Sequence, residues 1–164
     1  MSERGTHVGI AAGRAGIDPV RVRAAVDAIP DPELPVVSIG DLGMVHRVTV
    51  DAASIAVTLL PTFVGCPALD VIKRSIEDGL AGFGRQVTVV TTFAVPWTSD
   101  RITAAGRTAL AAVGIAPPAD PAEMRCPYCA SAQVVMDSAF GPTQCRSLFY
   151  CRACRQPFEA MKRV

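Results

Sequence analysis

Apolar residues recur at helical spacing in three stretches of the chain and alternate with polar residues at strand spacing in three others. The clearest helical stripe consists of Leu69, Ile72, Ile76 and Leu80. The predicted helices are Asp18–Ile29, Cys66–Ala81 and Ser99–Val113, and the predicted strands are Met44–Val50, Ser54–Leu60 and Gln86–Phe93. The element order is therefore α-β-β-α-β-α, which predicts an α+β fold with two layers.

Local signals at the ends of these elements support their bounds. Asp18 can cap the first helix, and Pro19 suits its first position. Asp51–Ala53 is short enough to join the first two strands as a hairpin. Ser99 or Thr98 can cap the third helix.

Segments rich in proline and glycine divide the chain. Pro30–Gly43 is predicted to be a loop, and Gly114–Glu123 is predicted to be a linker. We therefore expect a flexible lead over residues 1–17 and an α+β domain over 18–113. The linker over 114–123 then leads to a small domain over 124–164.

Charge is distributed unevenly along the chain, although its net value is only +1. Residues 1–123 carry 10 Lys and Arg against 13 Asp and Glu, whereas residues 124–164 carry 6 against 2. A solvated basic surface explains this tail more simply than nucleic-acid binding does, so we expect no nucleic-acid partner. There is no run of about 18 apolar residues, which predicts no membrane span. The start of the chain lacks the form of a signal peptide, so we expect a cytoplasmic location, where paired cysteines favour metal or redox chemistry over disulfides.

Four cysteines of the tail form two CxxC pairs, Cys126 with Cys129 and Cys151 with Cys154. Each pair can aim two sulfurs at one ion from a tight turn, and two such turns close a tetrahedral site of the kind that zinc favours. About forty residues cannot easily build a sufficient core alone, and a structural zinc contributes on the order of 10 kcal/mol. The spacing therefore predicts a zinc ribbon with these four cysteines as ligands.

Other interpretations of the tail stay open at this point. Iron also accepts four thiolates. The string CPYC at residues 126–129 also occurs in the active sites of glutaredoxins, but that chemistry needs the motif at the start of a helix. Disulfides would require an oxidising compartment. Cys145 belongs to neither pair. It is either a small apolar residue of the core or a substitute metal ligand.

Cys66 stands alone, far upstream of the other cysteines. Pro67 suits the first position of a helix, so Cys66 is predicted at or next to the N-cap, where the helix dipole would lower the thiol pKa. Asp31 and Glu33 offer carboxylates in the preceding loop, although such residues more often bond to backbone N–H groups. An inert buried cysteine is the competing interpretation. No base partner for a nucleophilic thiol is evident.

Longer stretches of the chain resemble known families. DPELPVVSIGDLGMV at 31–45 and PTFVGCPALD at 61–70 resemble the MIP18-like family, the domain of unknown function 59. FAVPWTSDRITAAGRTALAAVGIAPP at 93–118, DSAFGPTQC at 137–145 and CRACRQPFEAMK at 151–162 resemble the D subunits of bacterial phenylacetyl-CoA epoxidase (phenylacetate-CoA oxygenase) systems. This resemblance extends over residues 18–162.

The resemblance implies an iron–sulfur-assembly fold and a place in aerobic phenylacetate catabolism. It implies an accessory subunit that matures the [2Fe–2S] cluster of the reductase subunit. Its partners would be the reductase or oxygenase subunits, and a homodimer stays open. The implied face that handles a transient cluster consists of Cys66, Thr62, Asp31 and Glu33. The alternative is a docking module of the oxygenase complex in which Cys66 is only structural.

The chain has no Glu-x-x-His pair for a di-iron site and no flavin or nicotinamide fingerprint. The resemblance implies a di-iron oxygenase and a reductase that carries flavin, so we expect the chain to be neither of them and to catalyse no reaction of its own.

Overall fold

The structure is a computed structural model that describes residues 16–164. The prediction of a flexible lead falls mainly on residues outside this range. The helices are α1 (Pro19–Asp27), α2 (Leu69–Leu80) and α3 (Ala104–Ala112). The strands are β1 (Val45–Val50), β2 (Ser54–Leu59), β3 (Gln86–Thr91), β4 (Ile115–Ala116), β5 (Val134–Ser138), β6 (Arg146–Cys151) and β7 (Pro157–Met161). Short 3-10 turns cover Ala81–Phe83 and Ser99–Arg101.

The first sheet has the order β1-β2-β3, with β1 and β2 antiparallel and β2 and β3 parallel. The hairpin between β1 and β2 is the one that the sequence predicts. The parallel pairing of β2 and β3 requires a crossover, which α2 provides. The predicted α-β-β-α-β-α order and the α+β fold class are therefore confirmed.

The core of this unit lies between the sheet and the helices. Alternate residues of β2 are buried, as its sequence predicts, and they meet the apolar face of α2. The largest side chains in this layer are Ile55, Leu59, Ile72, Ile76 and Leu80, each with none of its surface exposed. These residues fix the position of the loop between β2 and α2, which carries Cys66.

The second sheet has the order β4-β7-β6-β5 and forms most of the C-terminal unit. A separate small core lies on this sheet, and within it the rings of Phe149 and Phe158 stack with centroids 5.6 Å apart. The structure differs from the expected linker at its start, because Ile115 and Ala116 are buried and pair in parallel with β7. The segment is held by pairing with a distant strand, which its proline content cannot indicate.

All three helices are shorter than predicted, and two of them begin several residues later than their apolar patterns suggested. The second begins at Leu69 rather than at Cys66, and its N-cap is Ala68. The third begins only at Ala104, because Ile102 is extended and Thr103 provides the cap by accepting a bond from the N–H of Gly106 at 3.0 Å. Of the two predicted caps, Ser99 instead begins a 3-10 turn and Thr98 precedes it. The predicted cap at Asp18 is confirmed, since its carboxylate accepts from the N–H of Val20.

Polar contacts join the second unit to the first. The Arg107 guanidinium donates to the carbonyl oxygens of Ser99 at 2.9 Å and of Pro118 at 3.1 Å. The backbone N–H of Ser99 donates to the carbonyl oxygen of Val164 at 3.2 Å. These bonds hold the second sheet against α3 and the 3-10 turn before it. Within residues 16–164, no helix has the length and apolar character that crossing a membrane requires.

Candidate functional site

Two similar turns present the paired cysteines of the tail. The N–H of Ala130 donates to the carbonyl oxygen of Cys126 at 2.9 Å, and the N–H of Arg155 donates to that of Cys151 at 2.8 Å. Each turn is thus closed by a bond from the residue four positions after its first cysteine. This local geometry directs both sulfurs of each pair toward the other turn.

The four sulfurs of Cys126, Cys129, Cys151 and Cys154 all lie within 4.8 Å of one another. The Sγ atoms of Cys126 and Cys154 are 3.6 Å apart, as are those of Cys129 and Cys151. Zinc–sulfur bonds of about 2.3 Å at tetrahedral angles require sulfur separations of about 3.8 Å. The four thiols therefore fit a zinc ion, which would be a structural cofactor of this unit.

The environment of this cluster also favours thiolates at part of the site. The N–H groups of Cys154 and Ala153 help to lower the pKa of Cys151 to about 7. Burial and the neighbouring thiols raise the pKa of Cys154 to about 12. A cation removes this conflict, because it stabilises all four sulfurs as thiolates.

The glutaredoxin interpretation of CPYC does not agree with the structure. A redox-active CxxC pair needs the N-terminus of a helix to lower the thiol pKa. Between residues 113 and 164 there is no helix, and the strand β5 follows Cys126 and Cys129. The pair is instead half of the four-cysteine cluster.

Cys66 lies in the loop between β2 and α2 and is half-buried. The predicted lowering of its pKa is wrong. Burial raises the pKa of the Cys66 thiol, and the charges of Glu33, Asp31 and Cys145 add to the rise, whereas a bond from the N–H of Ala68 opposes it. The helix also starts three residues later than predicted, so Cys66 does not occupy its N-cap.

The two predicted carboxylates are close enough to Cys66 for their charges to act on it. Asp31 is buried, and its Oδ1 accepts from the N–H groups of Glu33 and Leu34, both at 2.9 Å. Burial raises the pKa of Asp31, while these two bonds and the charge of Arg146 oppose the rise. Asp31 thus shapes the loop that presents Glu33, which stays half-exposed.

Thr62 and Cys145 both line a cavity of about 500 Å³ between the two units. The sequence offered no reason to place Cys145 there, since it belongs to the C-terminal unit. Only its status as the unpaired sixth cysteine marked it. Cys145 therefore lies near Thr62 and Cys66 and is not a member of the four-cysteine cluster.

Comparison with known proteins agrees with both units. Residues 19–92 match the family described as "Iron-sulfur cluster assembly protein", and residues 112–162 match the "PaaD zinc beta ribbon domain". A curated relative from Escherichia coli (strain K12), the D subunit of the "Putative 1,2-phenylacetyl-CoA epoxidase", is 40% identical over 147 residues, which span 85% of this chain and 89% of the relative. The chain belongs to the family of phenylacetyl-CoA epoxidase D subunits.

A solved structure supports the same fold for the first unit of this D-subunit family member. The crystal structure of a domain of unknown function DUF59 from Bacillus anthracis is 29% identical to the chain, with a TM-score of 0.50. It covers 58% of this chain and 91% of its own length. The resemblance to the MIP18-like family and to the D subunits is thereby confirmed.

Proposed function

We propose that the chain is an accessory subunit of a phenylacetyl-CoA epoxidase system that assembles or delivers the iron–sulfur cluster of the reductase subunit. Membership of the D-subunit family supports the accessory role, and the match to iron–sulfur assembly proteins supports cluster handling. The chain then needs no catalysis of its own, because it passes a finished group to a partner. The zinc ribbon at residues 112–162 is the structural part of this unit.

The observation that carries this proposal is the proximity of Cys66 to two carboxylates within the region that matches iron–sulfur assembly proteins. Asp31 and Glu33 lie in one loop and Cys66 in another, and the charges of both carboxylates act on the thiol. Iron–sulfur clusters are held by cysteine thiolates. Half-buried and bordered by the exposed residues Gly65 and Pro67, Cys66 can bind a cluster that must later be released.

Cluster content of the partner tests this proposal in cells that lack the native D subunit. Wild type or Cys66→Ser is supplied, and iron and acid-labile sulfide are measured in the reductase purified without oxygen. We expect both to fall several-fold with Cys66→Ser, while the flavin content of the reductase stays constant. Ala52→Ser, at the exposed turn before β2, is the matched control, because it also introduces a serine but removes no thiol. Unchanged iron and sulfide with Cys66→Ser would overturn the proposal.

The docking alternative is supported by a different observation. Phe63, Val64 and Phe93 are 42%, 76% and 55% exposed around the cavity between the units. Exposed apolar side chains that cluster in this way are typical of protein contacts. If the chain only docks, Val64→Asp would abolish its co-purification with epoxidase subunits, and Cys66→Ser would alter neither that association nor the cluster content of the reductase.

A further inference from the structure

Cys145 belongs to the ribbon, yet it packs against the same core cluster as Cys66 of the first unit. Both thiols are half-buried, and the charge of Cys145 is near enough to act on Cys66. Two cysteines from different units therefore lie near each other, away from the four-cysteine cluster.

The residues that flank the two cysteines also face each other. Thr62, Phe63 and Val64 line a cavity together with Gln144 and Cys145. On the other side, Pro67 lines a second cavity of about 350 Å³ with Thr143 and Gln144. The turn of the ribbon that ends at Cys145 therefore lies along the loop that carries Cys66, with open space on both sides.

Hydrogen bonds hold the ribbon turn in this position. The N–H of Lys162 in the adjoining strand region donates to the carbonyl oxygen of Cys145 at 2.8 Å, and the N–H of Gly141 donates to that of Arg146 at 3.0 Å. A Cβ atom at Gly141 would approach the backbone of Arg146 to 3.0 Å, so the turn is closely packed. Cys145 thus occupies a fixed place rather than the tip of a free loop.

A chain of side-chain bonds ends at the Cys145 sulfur. The buried Arg146 guanidinium bonds to Glu159 at 2.5 Å, and its Nε donates to the Thr143 hydroxyl oxygen at 2.8 Å. That oxygen lies 3.2 Å from the Sγ of Cys145. Since the hydroxyl already accepts from Arg146, its hydrogen is available to the sulfur, and such a bond orients a sulfur that binds a metal.

We propose that Cys66 and Cys145 form a two-thiolate site that holds the cargo cluster, with the ribbon supplying the second ligand. This inference rests on the proposed function, since it takes an iron–sulfur cluster as the cargo. It gives the ribbon a role beyond stability, because the zinc-bound sheet positions Cys145 and its Thr143–Arg146 support. A pair of sulfurs can hold one iron and leave the rest of the cluster accessible to an acceptor.

The transfer is a ligand exchange without oxidation or reduction. On loading, Cys66 and Cys145 form two iron–sulfur bonds while two bonds to donor cysteines break, and the protons that the two thiols release pass to the leaving donor thiolates. On delivery, those bonds break while two bonds to acceptor cysteines form. The protons released by the acceptor thiols balance those that Cys66 and Cys145 regain. Asp31 and Glu33 beside Cys66 favour the cationic iron in the loaded state.

Reconstitution of the full zinc-loaded chain tests this site. Ferric iron, sulfide and a thiol reductant are supplied without oxygen to wild type, Cys66→Ser, Cys145→Ser and Thr143→Val. Iron, sulfide and zinc per chain are then measured. We expect both cysteine variants to lose iron and sulfide together, and zinc to stay at the wild-type level, which shows that the ribbon is folded. Thr143→Val should keep both thiols but bind the cluster roughly tenfold more weakly, with a shifted sulfur-to-iron absorption band.

If Cys145→Ser binds as much iron and sulfide as wild type while Cys66→Ser loses both, the two-thiolate site is overturned. The proposed function would still stand. The absence of any cluster on wild type would overturn the site as well. The proposed function itself would be overturned by a different result, which is an unchanged cluster content of the reductase in cells that carry Cys66→Ser.

Discussion

Ala130 and Arg155 occupy equivalent positions in the two cysteine turns, and both adopt a left-handed backbone conformation. Their φ angles are 58° and 61°, and each donates its N–H to the first cysteine of its pair. No other non-glycine residue in 16–164 has a positive φ. Both turns therefore carry the same backbone strain, because a non-glycine residue in this conformation costs about 1–2 kcal/mol of folding free energy.

Replacing Ala130 with Gly should stabilise the zinc-loaded chain. The change removes the left-handed penalty, and the added freedom of the unfolded chain offsets about 0.5–1 kcal/mol of the gain. We expect the free energy of unfolding, measured in urea, to rise by up to about 1 kcal/mol. Ala132→Gly is the matched control, because Ala132 lies two residues away without a positive φ. It should lower stability, and a lower stability for Ala130→Gly too would contradict the prediction.

Removing one cysteine of the cluster should release the metal. Cys129 is the exposed member, so Cys129→Ser alters packing least. We expect zinc per chain to fall at least about tenfold, because a structural zinc site needs all four thiolates and contributes on the order of 10 kcal/mol. Cys145→Ser serves as the control and should keep its zinc. Zinc is measured by mass spectrometry after gel filtration, and a chelator should reproduce the effect on wild type. Full zinc in Cys129→Ser would argue against a four-sulfur site.

The parts of the fold that sequence could predict are those set by nearby residues. Asp18 caps α1 through a bond to a residue two positions away, and the alternation in β2 reports directly which side chains face the core. Strand β4 could not be predicted, because it exists only where Ile115 pairs with Glu159 of a distant strand. The prolines that follow this strand made the local sequence typical of a linker.

The candidate site divides in the same way. The spacing of the two CxxC pairs is enough to predict that the four sulfurs converge, since each turn is local. The pKa of Cys66 was predicted in the wrong direction, because burial depends on packing that the sequence does not report. The place of Cys145 next to the Cys66 loop depends on how the ribbon seats on the first unit.

Two glycines have similar φ angles but different surroundings, so replacing each with Ala separates the cost of backbone strain from the cost of steric overlap. Gly43 and Gly84 have φ of 67° and 63°, but a Cβ atom at Gly43 would meet Arg101 at 2.5 Å, whereas nothing lies within 4 Å at Gly84. Gly84→Ala should cost about 1–2 kcal/mol of unfolding free energy from backbone strain alone. Gly43→Ala should cost a further 1–3 kcal/mol or so, because the backbone of Arg101 must move. Urea unfolding of both variants checks the ranking, and equal losses would show that the overlap relaxes freely.

Arg107 is expected to stabilise the segment around α3, and its contact with the chain after β4, through the shape of its guanidinium. It donates to the carbonyl oxygens of Ser99, Ile102 and Pro118, which a lysine cannot reach together. Arg107→Lys should lower the unfolding free energy by about 1–2 kcal/mol, near the lower end of the range for bonds to a charged group. Arg74→Lys, which loses a single exposed bond to the carbonyl oxygen of Asp70, should change it little. Equal effects of the two changes would mean that charge alone matters.

Because of Asp31, the free energy of unfolding of the chain should fall as the pH rises from acidic values. Burial raises its pKa in the folded state, so the unfolded chain, with a pKa of about 3.9, releases this proton first. Ionisation then favours the unfolded state from about pH 4 up to the folded pKa, and the contribution is lost across that window. Asp31→Asn keeps an oxygen for the N–H groups of Glu33 and Leu34 but does not titrate.

The unfolding free energy of Asp31→Asn minus that of wild type should therefore increase as the pH rises above about 4, and level off above the folded pKa of Asp31. Other titrating groups largely cancel in this difference, so urea titrations of the two proteins at matched pH values isolate Asp31. Asp51→Asn, in the exposed turn between β1 and β2, is the control and should show no such trend. A difference that instead moves toward wild type with rising pH would mean that the charge of Arg146 and the two N–H bonds outweigh burial at Asp31.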